Sequence, residues 1–124
     1  MRIKRNNLAT CPFTGQVLAV VDGGEGGIWV QVFTSSGAPT TERIRISDEA
    51  AYCGWSLVAA AQDKPQTWAV SYLMAIGNNP RVLRVVTPTS VSRAFPVAEV
   101  TTEWNYSERG GLTWTPQEIG RAHV

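Results

Sequence analysis

The feature that most constrains this chain is a pattern of short apolar runs and turns that returns after roughly 50 residues. Gln16 to Val20 (QVLAV) matches Gln66 to Val70 (QTWAV) at an offset of 50 positions. Ile28 to Thr34 (IWVQVFT) matches Arg81 to Thr87 (RVLRVVT) at 53, and Arg43 to Ser47 matches Val97 to Thr101 at 54. The three matches keep the same order along the chain. A unit that recurs this way cannot bury its apolar face alone, and it is stabilised by stacking on its neighbours.

The runs themselves read as strands. Gln16 to Asp22 is a short apolar run closed by the Gly-rich turn 23–27, and Ile28 to Thr34 then alternates apolar residues on two faces. Those two runs read as a hairpin, with Arg43 to Ile46 as a third strand. Thr67 to Ile76 fits helical and alternating spacing equally well. The turn Gly77-Asn78-Asn79-Pro80 and the run Arg81 to Thr87 behind it favour a second hairpin. Ser47 to Gln62 is the best helix candidate, with Ser47 as N-cap and Asp48 and Glu49 in the first turn. Against that helix, Gly54 sits mid-segment, and Ser56 to Ala61 could equally be a buried strand. The fold expected is all-β: a partial β-propeller of about two four-stranded blades and the start of a third. The alternative is a single β-sandwich of seven or eight strands.

Composition supports a packed β domain. The chain of 124 residues is 44% hydrophobic and 17% charged, too apolar for a solvated disordered chain. It is rich in Val and Thr and has only two lysines, Lys4 and Lys64, which favours strands over exposed helices. A net charge of +1 lacks the electrostatic footprint of a nucleic-acid binder. No apolar run approaches the roughly 18 residues of a membrane-spanning helix, so no membrane span is expected. Cys11 and Cys53 are too few for a disulfide framework or a four-ligand zinc site. No metal or other cofactor is expected. Met1 to Asn7 has a basic start with no apolar stretch after it, so no signal peptide is visible and localisation stays open.

One local motif carries a family resemblance. Tyr106 to Trp114 (YSERGGLTW) resembles the Asp-box, or BNR repeat, of sialidase-type β-propellers, a pattern of Ser, Asp, Gly, Thr and Trp around a tight turn. Ser107, Gly110, Gly111, Thr113 and Trp114 fall in place, while Arg109 stands where the namesake Asp belongs. Phe33 to Thr40 has a fainter likeness, with Gly37 and Thr40 at the Gly110 and Thr113 positions. The physics is that of a turn lock. A glycine supplies the positive φ, a Ser or Asp side chain accepts turn N–H groups, and a tryptophan buries a large face against the sheet. In the family this corner lies away from the catalytic centre, so the resemblance implies a structural role for these five residues. Trp29, Trp55, Trp68 and Trp104 are read as inter-strand packing on the same grounds.

The resemblance also implies a glycan-directed parent protein, with an arginine cluster for a substrate carboxylate, an acid/base Asp and a Tyr nucleophile assisted by Glu. An arginine fork suits a carboxylate because it gives two parallel hydrogen bonds. Arg43, Arg45, Arg81, Arg84 and Arg93 are available, but none sits in a family motif, so no catalytic or substrate-binding residue is assigned. Asp22 and Glu25 lie in the Gly-rich turn, where a polar hairpin corner is the simpler reading than a calcium site. Cys11 has no Cys-x-x-Cys partner and reads as a buried thiol. The alternatives to a glycosidase fragment are a non-catalytic propeller scaffold or binding module and a small β-sandwich interaction domain.

The C-terminal stretch Glu118 to Val124 (EIGRAHV) reads back into codons that resemble a short-read sequencing adapter. Residues 118–124 are therefore expected to be non-native, and 1–117 to carry the fold. His123, the sole histidine, is set aside with them, leaving no Ser–His or Cys–His machinery. Two blades with uncovered outer strands and faces invite association. Residues 1–117 alone are expected to elute as associated species on size exclusion; a monomer with one cooperative thermal transition counts against the propeller-fragment expectation.

Overall fold

The computed structural model describes residues 7–21, 27–47, 51–75, 77–97, 104–107 and 111–114, without the side chains of 52–55, 105 and 107. These residues form an all-β structure of eleven strands. β1 (Leu8–Thr10), β2 (Val17–Val21), β3 (Trp29–Phe33) and β4 (Ile44–Arg45) make a four-stranded antiparallel sheet in chain order. β5 (Ala51–Ala60), β6 (Trp68–Met74), β7 (Arg81–Thr87) and β8 (Ser90–Val91) repeat that meander, and β9 (Phe95–Pro96) also pairs with β7. β10 (Trp104–Ser107) and β11 (Gly111–Trp114) form a separate hairpin. No helix of the described residues is long and apolar enough to cross a membrane.

Both expected hairpins, β2–β3 and β6–β7, form at the anticipated places. The ambiguous run beginning at Thr67 becomes strand β6 over Trp68–Met74. The helix considered over Ser47–Gln62 does not form, and Ala51–Ala60 is a ten-residue strand instead. The reason is burial: Leu57 and Ala59 face one core and Val58 and Ala60 the other, so the strand has no polar side and its sequence shows no period of two. Its pairing with β6 shifts between Tyr52 and Leu57, a bulge next to Gly54. Ser47 caps no helix; its buried hydroxyl accepts the Ile28 N–H at 2.8 Å. Asp48 and Glu49, and the turn residues Asp22 and Glu25, lie outside the described residues. Gly27 stands against this contact with φ +100°, and a Cβ there would lie 2.8 Å from Ser47 Oγ.

The second sheet is covered on both sides. Val58, Trp68, Val70, Tyr72, Val82 and Val86 pack against Leu18, Val30, Val32 and Ile46 of the first sheet region. On the opposite face Leu57, Ala59, Ala61, Ala69 and Leu83 pack against Trp104 and Leu112 of the hairpin. β6 is accordingly buried along Trp68 to Tyr72, whereas β3 alternates buried and half-buried residues. A single two-layer sandwich leaves each sheet one outer face; here the middle layer has none.

The two sheets stack in the same sense. Ser56 Oγ of β5 lies 3.4 Å from Asn7 Oδ1 at the start of β1, and the Gln66 N–H, after β5, reaches Cys11 Sγ at the end of β1. β1 and β5 therefore run side by side in one direction. Lys64, in the turn after β5, lies over the Trp114 ring at the end of β11, so β11 follows the same direction. The turns after β1 and β5 close alike, Cys11 N–H to Gln16 O and Ala61 N–H to Thr67 O, but the second is one residue longer. That extra residue moves the structural equivalence of β2 and β6 to Val17 and Trp68, one position from the sequence match, and so exchanges the faces. For β3 and β7 the equivalence of Phe33 and Val86 keeps the offset read from sequence.

Trp68 joins the layers: it is fully buried and donates its indole N–H to Ala9 O at 2.9 Å. Trp68→Ala is expected to cost about 3–5 kcal/mol, and Trp68→Phe about 1–3 kcal/mol from the orphaned Ala9 carbonyl and lost ring area. Urea unfolding of the two variants against the parent chain measures both.

Candidate functional site

The same-sense stacking brings β1, β5 and β11 together, and a groove of about 390 Å³ opens where they converge. Leu8 and Ala9 line it from β1, Val58 and Ala60 from β5, and Thr113 and Trp114 from β11, with Gln62 at one end. Apolar walls with an amide, a hydroxyl and an indole at one end suit a ligand with both apolar and hydroxylated faces. Gln62 holds its amide by donating to Ala60 O at 3.1 Å.

Two residues of the Asp-box-like turn, Thr113 and Trp114, therefore reach the groove wall, which their family position did not suggest. Trp114 is half-buried and meets Trp104 edge-to-face, with ring centroids 4.7 Å apart and planes at 71°. Lys64 Nζ sits 5.3 Å from the centroid of the Trp114 ring, a cation–π contact. Gly111 adopts φ +77° with open space around its Cα, the conformation the turn pattern calls for. Gly110 and the Ser107 side chain lie outside the described residues, as do Arg109 and residues 118–124.

The fainter likeness at Phe33–Thr40 runs from the end of β3 towards β4 and shows a glycine turn with a hydroxyl cap, without the tryptophan. Gly37 has φ +98°, and the Thr34 hydroxyl accepts the Ala38 N–H at 3.1 Å. In the second sheet Thr87, equivalent to Thr34 in the repeat, accepts the Thr89 N–H at 3.2 Å. Threonine hydroxyls thus cap the turn after the third strand in both sheets.

Among the described residues, four arginines have these contacts. Arg84 donates to Tyr72 Oη at 2.9 Å and to Ser92 O at 3.0 Å. Arg81 donates to Ser71 Oγ at 2.9 Å and lies over the Tyr106 ring. Arg93 stacks on Phe95, and Arg45 lies over Trp29. Among the described residues no group of three or more His, Cys, Asp or Glu side chains could hold a metal ion.

Sequence reasoning missed the groove residues Leu8, Ala9 and Gln62, because nothing local marks a place where three distant strands meet. It also missed a clasp in its own repeat: Gln66 Nε2 donates to Gln16 Oε1 at 2.6 Å, joining the corresponding turns of the two sheets. The recurrence of Gln at these positions was the available signal.

Cys11 is buried at 1% exposure beside this clasp. Burial is the largest influence on its thiol and pushes the pKa up. The Thr14 hydroxyl and the backbone N–H groups of Gln66, Phe13 and Thr14 oppose it, and the net result is a pKa below the usual thiol range. A depressed acid pKa adds stability that is complete above the unfolded thiol value and is lost as pH falls through the folded one. Urea midpoints of the parent chain and Cys11→Ala are thus expected to diverge as pH rises from about 6 to about 9.5, in favour of the parent. Compared with known proteins, the chain matches no family model, no curated protein and no solved structure.

Proposed function

We propose that this chain is a run of Asp-box-type propeller blades acting as a non-catalytic binding scaffold, with a glycan as the partner received in the groove between β1, β5 and β11. The observation that carries the reading is the same-sense stacking of two four-stranded meanders whose first strands line a shared groove. Blades that follow one another around an axis present their first strands to that axis. Trp114 offers a sugar ring an aromatic face, and Gln62 and Thr113 offer hydroxyl partners.

A binding role is favoured over hydrolysis by where the arginines stand. The hydrolase that the resemblance implies would bring several guanidinium groups together on one substrate carboxylate. Arg81, Arg84 and Arg93 instead contact Ser71, Tyr72 and Phe95 respectively.

Titration of the full chain with neutral and sialylated oligosaccharides, followed by tryptophan fluorescence, is expected to show saturable binding. Gln62→Ala and Trp114→Ala are each expected to weaken it by about 3- to 10-fold. A fluorogenic sialoside is expected to give no turnover above blank. Turnover would return the hydrolase reading, and the absence of saturable binding to any glycan would remove the glycan from the proposal.

A further inference from the structure

β1 and β5 each stand at the end of their sheet, so one edge of each strand has no paired neighbour among the described residues. The register fixes which groups lie on that edge. Asn7 O accepts the Val20 N–H and the Cys11 N–H donates to Gln16 O, so alternate residues of β1 bond to β2. Leu8 and Thr10 therefore turn their N–H and C=O groups the other way. The Ala61 N–H likewise donates to Thr67 O, which leaves Val58 and Ala60 of β5 turned away from β6. Leu8, Val58 and Ala60 all line the groove. Gln62 Nε2 closes the Ala60 carbonyl at 3.1 Å, which uses one of its two N–H donors and leaves the other, with Oε1, for a ligand. Every described residue that lines the groove is uncharged. Lys64 is not among them: its ammonium sits over the Trp114 ring, and Asp63 precedes it with the opposite charge.

We infer that the groove selects neutral sugars over carboxylated ones, with the unpaired edges of β1 and β5 and the Gln62 amide as its polar contacts. The inference rests on the glycan-binding reading and names the class of glycan. A strand edge presents N–H donors and C=O acceptors together. A sugar hydroxyl both donates and accepts, so a ring bearing several hydroxyls can pair with both kinds of group. A carboxylate only accepts. Near this edge it would meet the N–H groups but also stand against the carbonyls of Leu8 and Val58, and no described cation lines the groove to neutralise it. Losing its water between apolar walls then carries a cost that no ion pair offsets.

Matched pairs of sugars test this: cello-, galacto- and manno-oligosaccharides, each beside its counterpart oxidised at C6 to the uronic acid, titrated into the full chain and followed by tryptophan fluorescence. At about pH 7, where the acid is ionised, the neutral member of each pair that binds is expected to bind at least about 10-fold more tightly. Leu8→Arg sets a guanidinium on the groove wall at a position that is 57% exposed, where the fold has room for it, and is expected to abolish or reverse the preference. Phe13→Arg adds the same charge at a 55% exposed position in the β1–β2 turn, outside the groove lining, and is expected to keep the preference. Equal or tighter binding of the uronic acids by the parent chain would overturn the inference and leave the glycan reading standing. So would a preference that Leu8→Arg does not move, or that Phe13→Arg removes as well. Absence of saturable binding in every pair would instead remove the glycan reading, and the inference with it.

Discussion

The rest of the structure depends on the burial of both faces of the second sheet. Burial of apolar area is the main favourable term available to a chain of this size. A four-stranded meander with one covered face leaves about half of its side chains in water. Here the first sheet supplies one cover and the β10–β11 hairpin the other. Trp68 and Tyr72 on one side and Leu83 on the other are removed from solvent together. Loosening either cover exposes apolar residues of the same strands, so the three layers stand or fall as a unit.

Polar groups at the layer boundaries set the stacking direction, which apolar contact alone would leave open. The Trp68 indole reaches a β1 carbonyl, Gln66 clasps Gln16, and the Gln66 N–H meets the Cys11 sulfur. Each contact joins corresponding ends of the first and second sheets. A reversed stack would separate these partners and leave buried donors unpaired, at a cost of about 1–3 kcal/mol each. The groove follows from that choice, because only a same-sense stack puts β1, β5 and β11 along one side.

Much of the strand pattern was legible because it is written in local chemistry. The Gly77-to-Pro80 turn and the alternation in Ile28–Thr34 announce hairpins that the fold contains. β5 was harder, because a strand buried on both faces loses the period-two signal and reads equally as a helix. The repeat was visible but slipped by one residue at β2 and β6, since an extra residue in the second turn leaves no mark in the apolar pattern. That slip matters physically: one residue exchanges the two faces of a sheet and with them the prediction of what packs where. Thr113 and Trp114 were singled out for their turn, yet their place on the groove wall depends on strands more than fifty residues earlier in the chain.

By itself, the sequence determined that this chain is β, that it repeats, and that its turns call for glycine φ and a short polar side chain as cap. Those properties follow from backbone sterics and neighbouring side chains, which act within a few residues. Only the tertiary structure decided which face of each sheet is buried, that the sheets stack in one sense, and that three strands share a groove. Those outcomes turn on contacts between residues about fifty apart, such as Gln16 with Gln66 and Ala9 with Trp68, whose geometry no local pattern encodes.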